Sequence, residues 1–170
     1  MKMKKLVALR AIGATAALAG VLVIPAANAG PSPQSSSFVV RASVPDRCNI
    51  DAANDLNFGQ IDPEATTQQT STITYRCTSG TTPTVALDYT GTMNSASTGT
   101  TLDYTLYQEG TYSTVWRTGP EANIAVDAGT GLGAPQQKTA TVYGQVTAAQ
   151  AINAGVATDF QETVTVTFTF

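Results

Sequence analysis

The chain has 170 residues, nine basic and twelve acidic, with no histidine and a formal net charge of −3. Without histidine the usual Ser–His and Cys–His nucleophile pairs cannot form, and zinc loses its commonest nitrogen ligand. The acidic balance argues against nucleic acid or an anionic membrane as partner.

The first segment pairs Lys2, Lys4, Lys5 and Arg10 with an uncharged run from Ala11 to Ala26, and Ala27-Asn28-Ala29 follows as a small-x-small cleavage site. This is the pattern of a secretory signal peptide over 1–29. The apolar run is interrupted by Gly13, Gly20 and Pro25 and is short of the ~20 residues that span a bilayer. Processing would leave Gly30–Phe170, 141 residues with five basic and twelve acidic side chains, a net charge near −7. That length suits one domain with its own core.

Residues 30–37 hold two prolines and four serines and read as a flexible lead-in. The domain proper is expected over 38–170. Phe38, Val40, Ala42 and Val44 alternate with other residues in a first candidate strand. Cys48 and Cys77 are the only cysteines, and in a secreted chain they are expected to form one disulfide. The loop closed would be worth roughly 3–4 kcal/mol in the chain-entropy model.

Further strands are expected at Leu56–Ile61, at Ser71–Cys77 through Ile73 and Tyr75, and at Thr84–Tyr89 through Val85 and Leu87. Leu102, Tyr104 and Leu106 mark one face of another strand, and Tyr112–Trp116 is a short candidate. Lys138–Val146 alternates through Val142, Gly144 and Val146, or through Thr141, Tyr143 and Gln145. Gly91–Thr100 and Thr118–Pro135 are rich in turn-forming residues and read as long loops. One helical turn fits Thr147–Ala154. The chain closes on Thr163–Phe170, with threonines on one side and Val164, Val166, Phe168 and Phe170 on the other. Period two at this length marks a strand with one buried face. An apolar strand with no later strand to pair with needs a neighbour, because a bare edge invites aggregation. The whole reads as an all-β antiparallel sandwich.

Two carboxylate pairs, Asp51 with Asp55 and Asp62 with Glu64, have the composition of a glycosidase or calcium site. They flank turn-like sequence, where Asp serves local backbone bonding, and that reading is preferred. Tyr104, Tyr107, Tyr112 and Trp116 cluster in sequence and are read as core packing rather than a sugar platform, with Trp116 beside Arg117 the pair to watch. No catalytic residue, metal ligand or cofactor site is assigned, and the chain is not expected to be an enzyme.

Taken in order, Cys48, Phe58-Gly59, Cys77, Leu106-Tyr107, Tyr143-Gly144 and the Thr-Val-Thr-Val ending resemble the spore coat protein U domain family, from about Phe38 to Phe170. That family includes major subunits of archaic chaperone–usher pili. The chain departs from it at Phe160 and Glu162, where Tyr and Asp are expected. The resemblance implies an incomplete immunoglobulin-like sandwich completed by a donor strand from another chain. The donor would carry Phe38, Val40, Ala42 and Val44, and Val164, Val166, Phe168 and Phe170 would line the groove edge where the foreign strand or chaperone docks. Two alternatives stay open: 38–44 is an ordinary first strand of its own domain, or its outer part is donated while Val44 continues inward.

The implied function is that of a structural subunit of a surface pilus serving adhesion and biofilm, exported to the periplasm and displayed on the cell surface. Its implied partners are neighbouring pilin subunits in a homopolymer, a periplasmic chaperone and an outer-membrane usher, with no nucleic acid. A non-fibre spore or outer-coat protein and a small secreted carbohydrate-binding adhesin are the competing readings.

Overall fold

Antiparallel β-pairing accounts for nearly all the regular structure. The structure, a computed structural model, describes residues 33–119 and 122–170; the expected signal peptide over 1–29 lies outside the described residues. The chain divides into two units, one ending at Arg41 and the other Ala42–Phe170. Residues 34–47 carry no regular secondary structure, so the strand expected over Phe38–Val44 is not a strand of this chain's own sheets.

Ten strands follow in order: β1 (Cys48–Ala53), β2 (Thr67–Cys77), β3 (Thr84–Asp88), β4 (Thr92–Ser95), β5 (Thr101–Asp103), β6 (Thr105–Tyr107), β7 (Ile124–Ala125), β8 (Lys138–Val146), β9 (Phe160–Gln161) and β10 (Thr165–Thr169). A single helical turn, α1 (Ala148–Ala151), lies between β8 and β9. Thr147 caps it in a reciprocal capping box with Gln150, which explains a helix this short. The strands form three sheets, ordered β1-β2-β8-β6, β10-β3-β7 and β5-β4-β9.

One hydrophobic core draws on all three sheets: Ile73, Tyr75 and Cys77 of β2, Val85 and Leu87 of β3, Leu102 of β5, Leu106 of β6, and Ala140, Val142 and Val146 of β8. The fold is the all-β, immunoglobulin-like sandwich expected. The predicted strands at Ser71–Cys77, Thr84–Tyr89, Lys138–Val146 and the chain's end are present, and the buried face of β8 is the one through Val142, Gly144 and Val146.

Other expectations need correction. Leu56–Ile61 is irregular: the Asn57 side chain accepts from the Gly59 N–H at 2.8 Å, Gly59 takes φ +68°, and Phe58 is buried in the core with Leu56 and Ile61 packed half-buried against it. The run Leu102–Tyr107 is two strands. Tyr104 breaks it, donating its N–H to the Gly91 carbonyl at 2.9 Å, so that β5 pairs with β4 while β6 pairs with β8. Tyr112–Trp116 is no strand; Tyr112 takes φ +53°, and Trp116 reaches the core. The two segments read as loops contain β4 and β7.

The Cys48–Cys77 disulfide is present and joins β1 to the end of β2, where the two residues are cross-strand partners. Gly129 packs against the same place. A Cβ on Gly129 would meet the Thr78 carbonyl oxygen at 2.4 Å and the Cys77 carbonyl oxygen at 2.6 Å, and backbone cannot step aside cheaply. Gly129→Ala is therefore expected to cost about 1–3 kcal/mol or more, read as a lowered midpoint in chemical denaturation with the disulfide intact.

Candidate functional site: an open flank of the sandwich

In an antiparallel pair, residues directly opposite one another point to the same face. Cys48 lies opposite Cys77, Ile50 opposite Tyr75 and, past a bulge, Ala53 opposite Ile73. These three residues of β1 therefore share the core face of their sheet. Their partners are buried, Tyr75 fully, yet Ile50 is 45 % exposed and Ala53 is exposed.

The other wall is β10. Val166 lies opposite Leu87 and Phe168 opposite Val85, both core residues of β3. Val164, Val166 and Phe168 pack against the core but stay only half-buried. The Phe168 ring meets that of Tyr75 with centroids 4.9 Å apart, bringing β10 over the buried face of β2. Phe170 lies past the end of β10 and is 54 % exposed.

β1 and β10 end their respective sheets, and no strand among the described residues pairs with their outer edges. Cα atoms of the two strands approach within 8 Å. The flank thus has two bare edges, each with a row of core-facing apolar side chains lacking full cover. Phe38, Val40 and Val44 are 87 %, 81 % and 79 % exposed, and Ala42 is exposed. The alternation of β10 is legible in the sequence, and that of β1 is not. Ile50 was its one available signal, two residues on from Cys48.

Polar contacts hold β1 in place. The Asp51 carboxylate takes a two-point ion pair from Arg76 of β2, with Arg76 Nε at 2.7 Å and Nη2 at 2.6 Å, and accepts from Gln137 at 3.1 Å. Asp51 was expected to serve a turn; it serves a cross-strand pair instead. Asp62 does serve a turn, its side chain accepting from the Glu64 N–H at 2.9 Å. Near the start of β10, Glu162 accepts from the backbone N–H groups of Thr90 and Thr92, so this departure from the family pattern keeps a carboxylate that anchors the turn after β3. Among the aromatic residues, Tyr104 and Trp116 are core as expected. Tyr107, Tyr112 and Tyr143 form a half-buried edge-to-face cluster, with centroids 5.4 and 6.1 Å apart.

Residues 34–167 match the model of the Spore Coat Protein U domain family. Among solved structures the chain is similar to the chaperone–tip adhesion subunit pre-assembly complex of the archaic chaperone–usher Csu pili of Acinetobacter baumannii, with a TM-score of 0.52 and 21 % identity. The similarity covers 75 % of this chain and 41 % of that one. No curated protein matches.

Several carboxyls are held below their ordinary range: Asp51 by Arg76 and then Gln137, and Asp159 by the hydroxyls of Ser95 and Ser97. For Glu162 burial pushes upward, but the bonds from Thr90, Tyr104 and Thr92 together prevail and lower it. A group depressed on folding contributes stability above its unfolded value and loses it as pH falls through the folded one. With ordinary values of 3.8 and 4.5 for these carboxyls, the melting temperature is expected to hold through neutral pH and fall below about pH 4. Asp51→Asn should flatten that fall. An unchanged acid profile in the variant would remove Asp51 from the account.

Proposed function

Because the chain belongs to the Spore Coat Protein U domain family, we propose that it is a structural subunit of a secreted surface pilus. It is assembled by donor-strand complementation through a periplasmic chaperone and an outer-membrane usher, and it serves adhesion and biofilm. The observation that carries this reading is the open flank: Ile50 and Ala53 on one wall and Val164, Val166 and Phe168 on the other, all facing the core and none fully covered. A strand laid between β1 and β10 satisfies both edges and covers both rows. Backbone hydrogen bonds hold it, and alternate side chains set its register.

Residues 38–44 have the right form to be that strand in a neighbouring copy. Phe38, Val40, Ala42 and Val44 fall on one face at period two, and none is sheltered in its own chain. Burying the three large side chains is worth about 1.5–3 kcal/mol each, roughly 5–9 kcal/mol before ordering costs. The chaperone lends a comparable strand before assembly, with Val164, Val166, Phe168 and Phe170 as its docking edge. The exposure of 38–44 favours a fibre over a coat protein that does not polymerise.

Two experiments test this. Removing the mature chain up to and including Val44 should stop polymerisation while leaving chaperone binding intact, because the groove remains; long fibres from the truncated subunit would refute the donor assignment. Phe168→Asp puts an unpaired charge against Tyr75, at a cost of several kcal/mol. The variant should fail to co-purify with its chaperone and be degraded in the periplasm. Co-purification at wild-type yield with normal assembly would show that this edge is not the docking site.

A further inference from the structure

The stretch just before β1 is fastened to the domain at one place. The Arg47 N–H donates to the Thr78 hydroxyl at 2.7 Å, and the Thr78 N–H donates to the Arg47 carbonyl at 2.9 Å. The buried Thr81 donates its hydroxyl to the Asp46 carboxylate at 2.7 Å, and Cys48 is bonded to Cys77. Residues 46–48 are thereby tied to the turn after β2, and Pro45 alone separates them from Val44. The chain from Val44 to Asp46 spans at most about 7 Å. A neighbour that accepts Val44 is therefore drawn close against this end of the domain, the exit pole.

β1 starts at the exit pole with Cys48 and runs away from it, whereas β10 runs toward it and ends at Thr169, opposite the first residue of β3. A strand laid between them runs with one and against the other. Running with β10, it would carry its Val44 to the exit pole of its host, where the host's own segment begins, and two neighbours would contend for one pole. Running with β1, it carries Val44 to the opposite pole, and each subunit meets one neighbour at each end. A head-to-tail contact of this kind repeats without closing, as a fibre requires.

At that opposite pole β8 ends with Val146 opposite Thr67, the start of β2, and α1 follows at once. The loop after α1, residues 152–157, is apolar apart from Asn153 and carries no charge. Ile152 is 67 % exposed and Val156 96 % exposed. The loop's backbone is nonetheless held. The Asn153 side chain donates to the Ala149 carbonyl at 2.9 Å, and the Ala154 N–H donates to the Ala151 carbonyl at 3.0 Å. Gly155 lies so close to Thr100 that a Cβ would meet the Thr100 Cγ2 at 2.4 Å. Two branched apolar side chains held out in water by ordered backbone mark a contact surface. The exit pole offers them an apolar counterpart: Pro45 is exposed there, as are Ala134 and Pro135, just past Leu132, whose carbonyl accepts from Arg76 at 2.7 Å. We propose, resting on the pilus reading, that the Ile152–Val156 loop of one subunit packs on the exit pole of the next copy of this chain. This is a second contact beside the donated strand, and it stiffens the joint between subunits.

Hydroxyl-radical labelling read by peptide mass spectrometry compares the isolated exported subunit with assembled fibres. Phe38 reports on the donated strand, and Ile152 and Val156 report on the pole contact. The expected result is that all three lose most of their labelling on assembly. Fibres in which Phe38 is protected while Ile152 and Val156 label as in the isolated subunit would overturn the pole contact and leave the pilus reading standing. A chain that forms no fibres would sink both. Ile152→Ser combined with Val156→Ser should leave the melting temperature and the fibre yield unchanged, because both side chains are exposed in the single subunit. The variant fibres should bend more, with a shorter persistence length in electron micrographs. A persistence length equal to that of the wild type would overturn the contact as well.

Discussion

A β-strand has two edges of backbone donors and acceptors, and a sandwich is complete only when every buried row is covered and every edge is paired or protected. On the flank between β1 and β10 neither part of that condition is met among the described residues: each strand pairs on one side only, and the core-facing rows of both stay partly exposed. The rest of the fold accommodates this. β1 leaves most of its length exposed, yet it is held to β2 by a covalent bond at Cys48–Cys77 and a two-point ion pair at Asp51–Arg76. β10 is held by five consecutive pairings with β3 and by the Phe168–Tyr75 ring contact across the core. Tyr75 is thus the central post of the flank: it faces Ile50, carries Phe168 and anchors its hydroxyl on Asp127, and burial followed by the Asp127 charge pushes that hydroxyl's pKa up to about 12. These contacts lie on the inner sides of β1 and β10 and leave their outer edges free of any strand among the described residues.

Elements with sustained period-two alternation were legible in the sequence, because one-sided burial writes itself directly into residue order. β2, β3, β8 and β10 are of this kind. The elements that escaped have little apolar content or depend on distant partners. β4 carries one large apolar residue, Met93, and β7 and β9 have two residues each. Nothing local could reveal that Leu102–Tyr107 divides between two sheets, because the division follows from the bond between Tyr104 and Gly91. Likewise Phe58 is buried by an Asx turn rather than by a strand.

The flank itself was half legible. Its C-terminal wall stands out as Val164, Val166 and Phe168, but the β1 wall is interrupted by a bulge between Ile50 and Ala52 that throws Asp51 out to Arg76 and returns Ala53 to the core face. A bulge shifts the period by one residue, which hides the alternation on which sequence reading relies. The segment 38–44 shows the opposite case. Its alternation is plain, but alternation reports that a strand can bury one face and not in which chain it does so.

Amide hydrogen exchange resolved to single residues tests the central claim most directly, comparing the isolated exported subunit with the same chain after assembly. In the isolated subunit, the β10 amides between Thr165 and Thr169 that point away from β3 should exchange freely, as should those of residues 38–44. After assembly both sets should become protected together, along with the outward amides of β1. Protection of those β10 amides already present in the isolated subunit, or assembly that leaves them and residues 38–44 exchanging freely, would contradict the account.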